Sequence, residues 1–128
     1  MGHKTKAKCK DCGRRFTAIH GGGFTFHLLR CTTCGKTKSV LFDSLGSLHV
    51  RYLKGLPGAY CVATAGRDAA MKACRSLRPL DESAYRKEVE SEAGTCGCGG
   101  ELSFSAPLRC PKCRSLNVTE GDIVSFYD

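Results

Sequence analysis

Cys9-Lys10-Asp11-Cys12-Gly13 and Cys31-Thr32-Thr33-Cys34-Gly35 decide how this chain folds. In each stretch two intervening residues let both sulfurs turn toward one point, and the glycine that follows permits the tight backbone such a turn needs. Cys96-Gly97-Cys98 and Cys110-Pro111-Lys112-Cys113 stand near the other end, so eight of the ten cysteines fall into close pairs. Soft thiolates gathered in fours supply the tetrahedral all-sulfur environment of structural zinc. The order along the chain predicts one site from Cys9, Cys12, Cys31 and Cys34, closed across residues 13–30 as a hairpin. A second is predicted from Cys96, Cys98, Cys110 and Cys113, giving two Zn2+ per chain. Its single-residue spacing at Cys96-Gly97-Cys98 implies a tighter bite in which the usual knuckle is not expected, and Arg114 stands where glycine is commoner. A redox pair of the thioredoxin kind is the alternative for the first site. It leaves the second pair unexplained and lacks the βαβ context.

Working outward, the 128 residues suit one domain or a few very small modules. The end segments hold too few apolar residues to fold alone on a hydrophobic core, the situation in which small scaffolds rely on a metal. The chain starts Met1-Gly2-His3-Lys4 with no apolar stretch of signal-peptide or membrane-span length, so a cytoplasmic location is expected. In that reducing compartment spaced cysteines bind metal more often than they form disulfides.

The periodicities divide the chain into residues 1–42, 43–93 and 94–128. Lys4, Lys6, Lys8 and Lys10 alternate with Thr5, Ala7 and Cys9, which predicts an extended segment with the lysines on one face. Phe16 to Ile19 and Phe24 to Leu29 read as strands about a Gly21-Gly22-Gly23 turn, with a third strand at 37–42. The period then becomes helical over 43–56, 67–77 (stripe Ala70, Cys74, Leu77) and 81–93, the last with Gly94 as its cap. Leu102 and Phe104 resume an alternating pattern, and a final hairpin about Thr119 to Asp122 is expected. Glu88, Glu90 and Glu92 read as a solvated helix face, Cys61 and Cys74 as small apolar residues, and His20 and His27 as surface residues of the first hairpin. A third metal site joining His49 to Cys61 and Cys74 would lack a fourth ligand.

The net charge of +8 is uneven. Residues 1–40 carry nine Lys or Arg against Asp11 alone, whereas residues 81–128 are net acidic. A Zn2+ on four thiolates adds two negative charges, which trims the surplus without moving it from the N-terminal part. Lys4, Lys6, Lys8, Lys10, Arg14, Arg15, Arg30, Lys36 and Lys38, interleaved with Phe16, Phe24 and Phe26, form the candidate recognition surface. Cations would meet phosphates while rings stack on bases. The competing reading keeps the rings in a small core and gives the lysines the task of guarding an edge strand. No catalytic triad, carboxylate pair or phosphate-binding glycine loop is present in the sequence, so no enzyme and no small-molecule substrate are expected.

The paired Cys-x-x-Cys-Gly stretches resemble the zinc-ribbon superfamily. Cys98-Gly99 and Cys110-Pro111-Lys112-Cys113 are similar to rubredoxin-like ribbons, including that of the hydrogenase nickel-insertion accessory family, whose Met-His-Glu start is missing here. The resemblance implies a non-catalytic metal fold that binds nucleic acid or protein. The expected architecture is small α+β: two zinc ribbons of short antiparallel β-structure joined by a helical middle. Nucleic-acid binding is the leading expectation. A protein-interaction adaptor and a rubredoxin-like iron electron carrier are the alternatives.

Overall fold

A computed structural model describes residues 2–60 and 64–127. Among the described residues the fold is small α+β, with two three-stranded antiparallel sheets and four α-helices. The strands are β1 (Gly2–Cys9), β2 (Arg15–His20), β3 (Phe26–Cys31), β4 (Thr37–Leu41), β5 (Leu102–Ser103) and β6 (Val118–Tyr127). The helices α1 (Phe42–Leu45), α2 (Ser47–Gly55), α3 (Ala65–Lys72) and α4 (Glu82–Ala93) lie between β4 and β5 in the chain.

The strand order departs from two local ribbons. One sheet runs β2-β1-β6 and the other β4-β3-β5, so each combines strands from both ends of the chain. Residues 13–30 are therefore no paired hairpin: β2 pairs with β1, while β3 pairs with β4 and β5. Nor do residues 116–127 form a hairpin. The stretch Thr119 to Asp122 continues straight through β6, and its irregularity appears as register shifts against β1 around Thr5. Such shifts absorb an extra residue without ending the strand.

Alternation explains which faces are covered. Thr5, Ala7 and Cys9 are buried along β1 while Lys6 and Lys8 are exposed, as the sequence spacing requires. On β3 the buried set is His27, Leu29 and Cys31, which leaves Phe26, Leu28 and Arg30 half-buried on the other face. His27 is thus a core residue and not a surface one. Against this face α4 lays Tyr85, Val89 and Ala93, three residues at helical spacing that are almost fully buried. Burying a side chain the size of Leu29 or Val89 contributes about 1.5–3 kcal/mol each.

The expected helix at 43–56 is broken at Gly46, whose φ of +55° separates α1 from α2. The third expected helix is found, with the Asp81 side chain accepting from the Ala84 N–H as its N-cap. Helix α3 is shorter than 67–77, and its stripe of Ala70, Cys74 and Leu77 is not its buried face. Asp68 is buried there instead, accepting from the Tyr60 N–H at 2.8 Å and the Thr64 hydroxyl at 3.2 Å. Glu90 also leaves the solvated face predicted for it: its carboxylate receives the Phe104 N–H and the Ser103 hydroxyl, fastening α4 to β5.

Candidate metal centres

Each cysteine pair sits at a strand end, and strand pairing decides which pairs meet. Strand β1 ends at Cys9, whose register partner is Val118, the first residue of β6 and five positions past Cys113. Strand β3 ends at Cys31, whose partner Leu102 lies just beyond Cys98. The clusters are accordingly Cys9, Cys12, Cys110 and Cys113 in one place and Cys31, Cys34, Cys96 and Cys98 in the other. The eight expected ligands are all present, but the expected grouping is corrected. Ligand number and softness cannot distinguish a local from a crossed arrangement; the β1–β6 and β3–β5 ladders do.

Within each cluster the sulfurs all lie within 4.8 Å of one another. Cys9 faces Cys113 at 3.5 Å, Cys12 faces Cys110 at 3.5 Å, Cys31 faces Cys98 at 3.5 Å and Cys34 faces Cys96 at 3.6 Å. A tetrahedron with metal–sulfur bonds of about 2.3 Å has edges of about 3.8 Å, so the clusters match a four-thiolate ion. These cysteines are free thiols and not disulfides. Cys9, Cys31 and Cys110 are fully buried, while Cys12, Cys98 and Cys113 reach the surface.

The local backbone repeats at every pair. The N–H of Cys9 donates to the Arg14 carbonyl while the Gly13 N–H returns to the Cys9 carbonyl; Cys31 with Lys36 and Gly35, and Cys110 with Ser115 and Arg114, do the same. Cys96 reproduces the pattern one residue shorter, bonding to Gly100 and receiving from Gly99. A knuckle therefore does form at the single-residue spacing, contracted by one position. The residue after each second cysteine is left-handed: Gly13 and Gly35 at φ +76°, Gly99 at +88° and Arg114 at +62°. Arg114 alone pays the Cβ penalty there, about 1–2 kcal/mol.

This turn aims backbone N–H groups at sulfur. The amides of Thr33 and Cys34 point at Cys31 Sγ, Cys12 at Cys9 Sγ and Lys112 at Cys110 Sγ, all at 3.4–3.5 Å. Burial pushes the Cys31 and Cys110 thiols up, but the N–H groups and neighbouring thiols outweigh it and bring both down to about 6. The neighbouring sulfurs push the Cys34 and Cys113 thiols up in turn, so in each cluster one thiolate forms readily and these partners lose their protons only as a metal binds. Between the two knuckles of the first cluster, Asp11 accepts from Ser115 Oγ and from Asn117 Nδ2, which holds its carboxyl below the usual range.

The remaining candidates are scattered. Lys4, Lys6 and Lys8 share one face of the first sheet, with Arg15 opposite Lys8. Lys10 and Arg14 are exposed in the first knuckle. Lys38 is occupied elsewhere, donating to the Ala93 carbonyl at the end of α4. Arg30 lies between the sheets, bonded to the carbonyls of Ile19 and Ala106, and Lys36 is exposed beside it. His49 is not a metal ligand among the described residues. Its Nδ1 meets the Tyr85 hydroxyl at 3.0 Å, and His27 Nε2 meets the same oxygen at 2.7 Å. Cys61 lies outside the described residues. Periodicity placed a helix over 81–93 but had no signal for Tyr85 or for the two histidines that share its hydroxyl.

Residues 5–119 match the family described as Domain of unknown function (DUF8255), and the chain belongs to that family. No curated protein and no solved structure matches it. No helix among the described residues is long and apolar enough to cross a membrane.

Proposed function

From membership of a family that supplies no activity, we propose that this chain is a non-catalytic module held together by two four-thiolate zinc centres, which binds single-stranded nucleic acid. Zinc is preferred to iron because closed, fully protein-liganded thiolate sites are its usual structural use. The observation that carries the binding reading is the outer face of the first sheet. Lys4, Lys6 and Lys8 project from β1, Arg15 stands opposite Lys8, and a groove of about 580 Å³ bounded by Lys6, Lys8, Arg15 and Phe16 runs over that face. The ion pairs among the described residues are His20–Glu120, Arg67–Asp43 and Arg86–Glu82, so none of these four cations is neutralised by one. Glu120 also borders the groove, with Oε1 bonded to the Thr5 hydroxyl and His20, one acid against the three cations Lys6, Lys8 and Arg15.

The test is a titration of labelled oligothymidylate at several salt concentrations. Affinity falls steeply with salt, and the triple variant Lys6→Glu, Lys8→Glu, Arg15→Glu loses it. An unchanged titration overturns this reading. It would favour the adaptor, for which the observation is β6: an edge strand with Ile123, Val124 and Phe126 exposed. Metal analysis separates the third reading, since an electron carrier requires iron where two zinc per chain are expected.

A further inference from the structure

A second cleft, of about 340 Å³, opens where the two sheets and the two metal clusters come together. Its charged lining residues are Arg30, Lys36 and Arg109, with no carboxylate among them, and Phe16, Thr17 and Thr37 complete the polar and aromatic wall. We infer that this cleft is a binding site for a phosphoryl group, carried either by a nucleic-acid strand or by a free nucleotide.

The settings of all three cations support a bound anion over mere packing. Arg30 lines the cleft with its guanidinium held between the sheets on the Ile19 and Ala106 carbonyls, and its Nε, closed off from solvent, has no acceptor, so the group's charge is incompletely paired within the chain. Glu120 is the acid whose field reaches Arg30, but it does not line the cleft and makes no ion pair with Arg30 among the described residues, its Oε1 being bonded to Thr5 and His20. Arg109 is fixed by donating to the Thr32 and Arg114 carbonyls, both at 2.9 Å, so its charge is oriented by the two metal knuckles without being neutralised. Among the described hydrogen bonds no side chain of the three cations donates to a cysteine sulfur; the Lys36 backbone N–H is directed at Cys34. Arg30 in particular lies on the face of β3 opposite Cys31. Lys36 is exposed and makes no side-chain hydrogen bond or ion pair among the described residues, which leaves it free to close on a ligand. Fixed planar guanidinium groups with a mobile ammonium suit a tetrahedral oxyanion. The volume is at the lower end of ligand sites and fits one nucleotide unit.

The zinc-loaded chain labelled with 15N is titrated with thymidine 5′-monophosphate, with thymidine as control. Saturable shifts are expected at the amides of Lys36, Thr37 and Arg109 with the monophosphate and not with thymidine. Lys36→Gln, which removes no structural hydrogen bond, is expected to weaken binding about tenfold. Absence of shifts at these amides, equal shifts with thymidine, or an unchanged affinity in Lys36→Gln overturns the inference. A parallel titration with oligothymidylate identifies the source. Shifts at the same three amides mean that the strand supplies the phosphate. Shifts confined to Lys6, Lys8 and Arg15 leave the free nucleotide as the ligand and the sheet as the strand's surface. If the monophosphate binds while the oligonucleotide does not bind at all, the cleft stands and the proposed nucleic-acid function falls.

Discussion

At Gly100 a single missing side chain makes room for a metal ligand: an added Cβ would lie 2.5 Å from Cys31 Sγ and 2.7 Å from Thr33 Oγ1. Both are too close for any real contact, and the sulfur cannot retreat without leaving its cluster. Gly100→Ala should therefore lower metal content from two ions to one, read by elemental analysis, while the Cys9 cluster keeps its ion. Arg114 is the converse case, since a side chain stands where the backbone wants none. With φ at +62°, Arg114→Gly relieves the strain and should stabilise the zinc-loaded chain by about 1 kcal/mol in chemical denaturation. The carbonyl that receives Arg109 survives the change, so a loss of stability would mean that the arginine side chain itself does something at the knuckle.

Among the elements, α4 has the most to do with the core, because Tyr85 brings two imidazoles together at one hydroxyl. The hydroxyl has one proton to give and two lone pairs, so at most one ring accepts from it and that ring must be neutral, while the other donates to it. Burial holds each of them neutral and down to about 4; at His27 the repulsion that a charge would meet from His49 and Arg86 adds to this, and at His49 the field of Asp68 opposes it without cancelling it. A lowered histidine value contributes stability that is complete above the unfolded value, about 6.5, and is lost as pH falls toward the folded one. The ring resonances of His27 and His49 are thus expected to hold constant from pH 7.5 to 5.5 in the zinc-loaded protein; a midpoint near 6.5 for either would contradict the network. Tyr85→Phe should cost about 1–3 kcal/mol by leaving both ring nitrogens unpaired. Element identity was largely legible from periodicity, as α2, α4 and β1 attest. The break at Gly46 and the buried Asp68 were not, because periodicity registers neither a single left-handed residue nor a carboxylate turned inward onto the Tyr60 N–H and the Thr64 hydroxyl.

For the whole molecule, every ligand residue was readable from spacing, whereas the partition into clusters was not. Local and crossed four-cysteine groupings are equally good chemistry, and only the pairing of Cys9 with Val118 and of Cys31 with Leu102 selects between them. The two ends are mutually dependent as a result. Separately produced fragments 1–60 and 64–128 should co-purify when mixed with zinc and part when a chelator is added, while fragment 1–60 alone should not bind zinc in a folded form. Independent folding of that fragment with one zinc would restore the local grouping. The crossed clusters also set a schedule for the chain during its synthesis. Once Cys34 has emerged, about sixty more residues must be added before Cys96 arrives, a wait of roughly 3–12 s at about 5–20 residues per second. Through that interval four reactive thiols share one nascent segment with no correct partner, and a zinc ion captured by them is a kinetic trap. Reaching the crossed arrangement then requires that ion to be released or exchanged, a demand that a chain with sequential sites would not face.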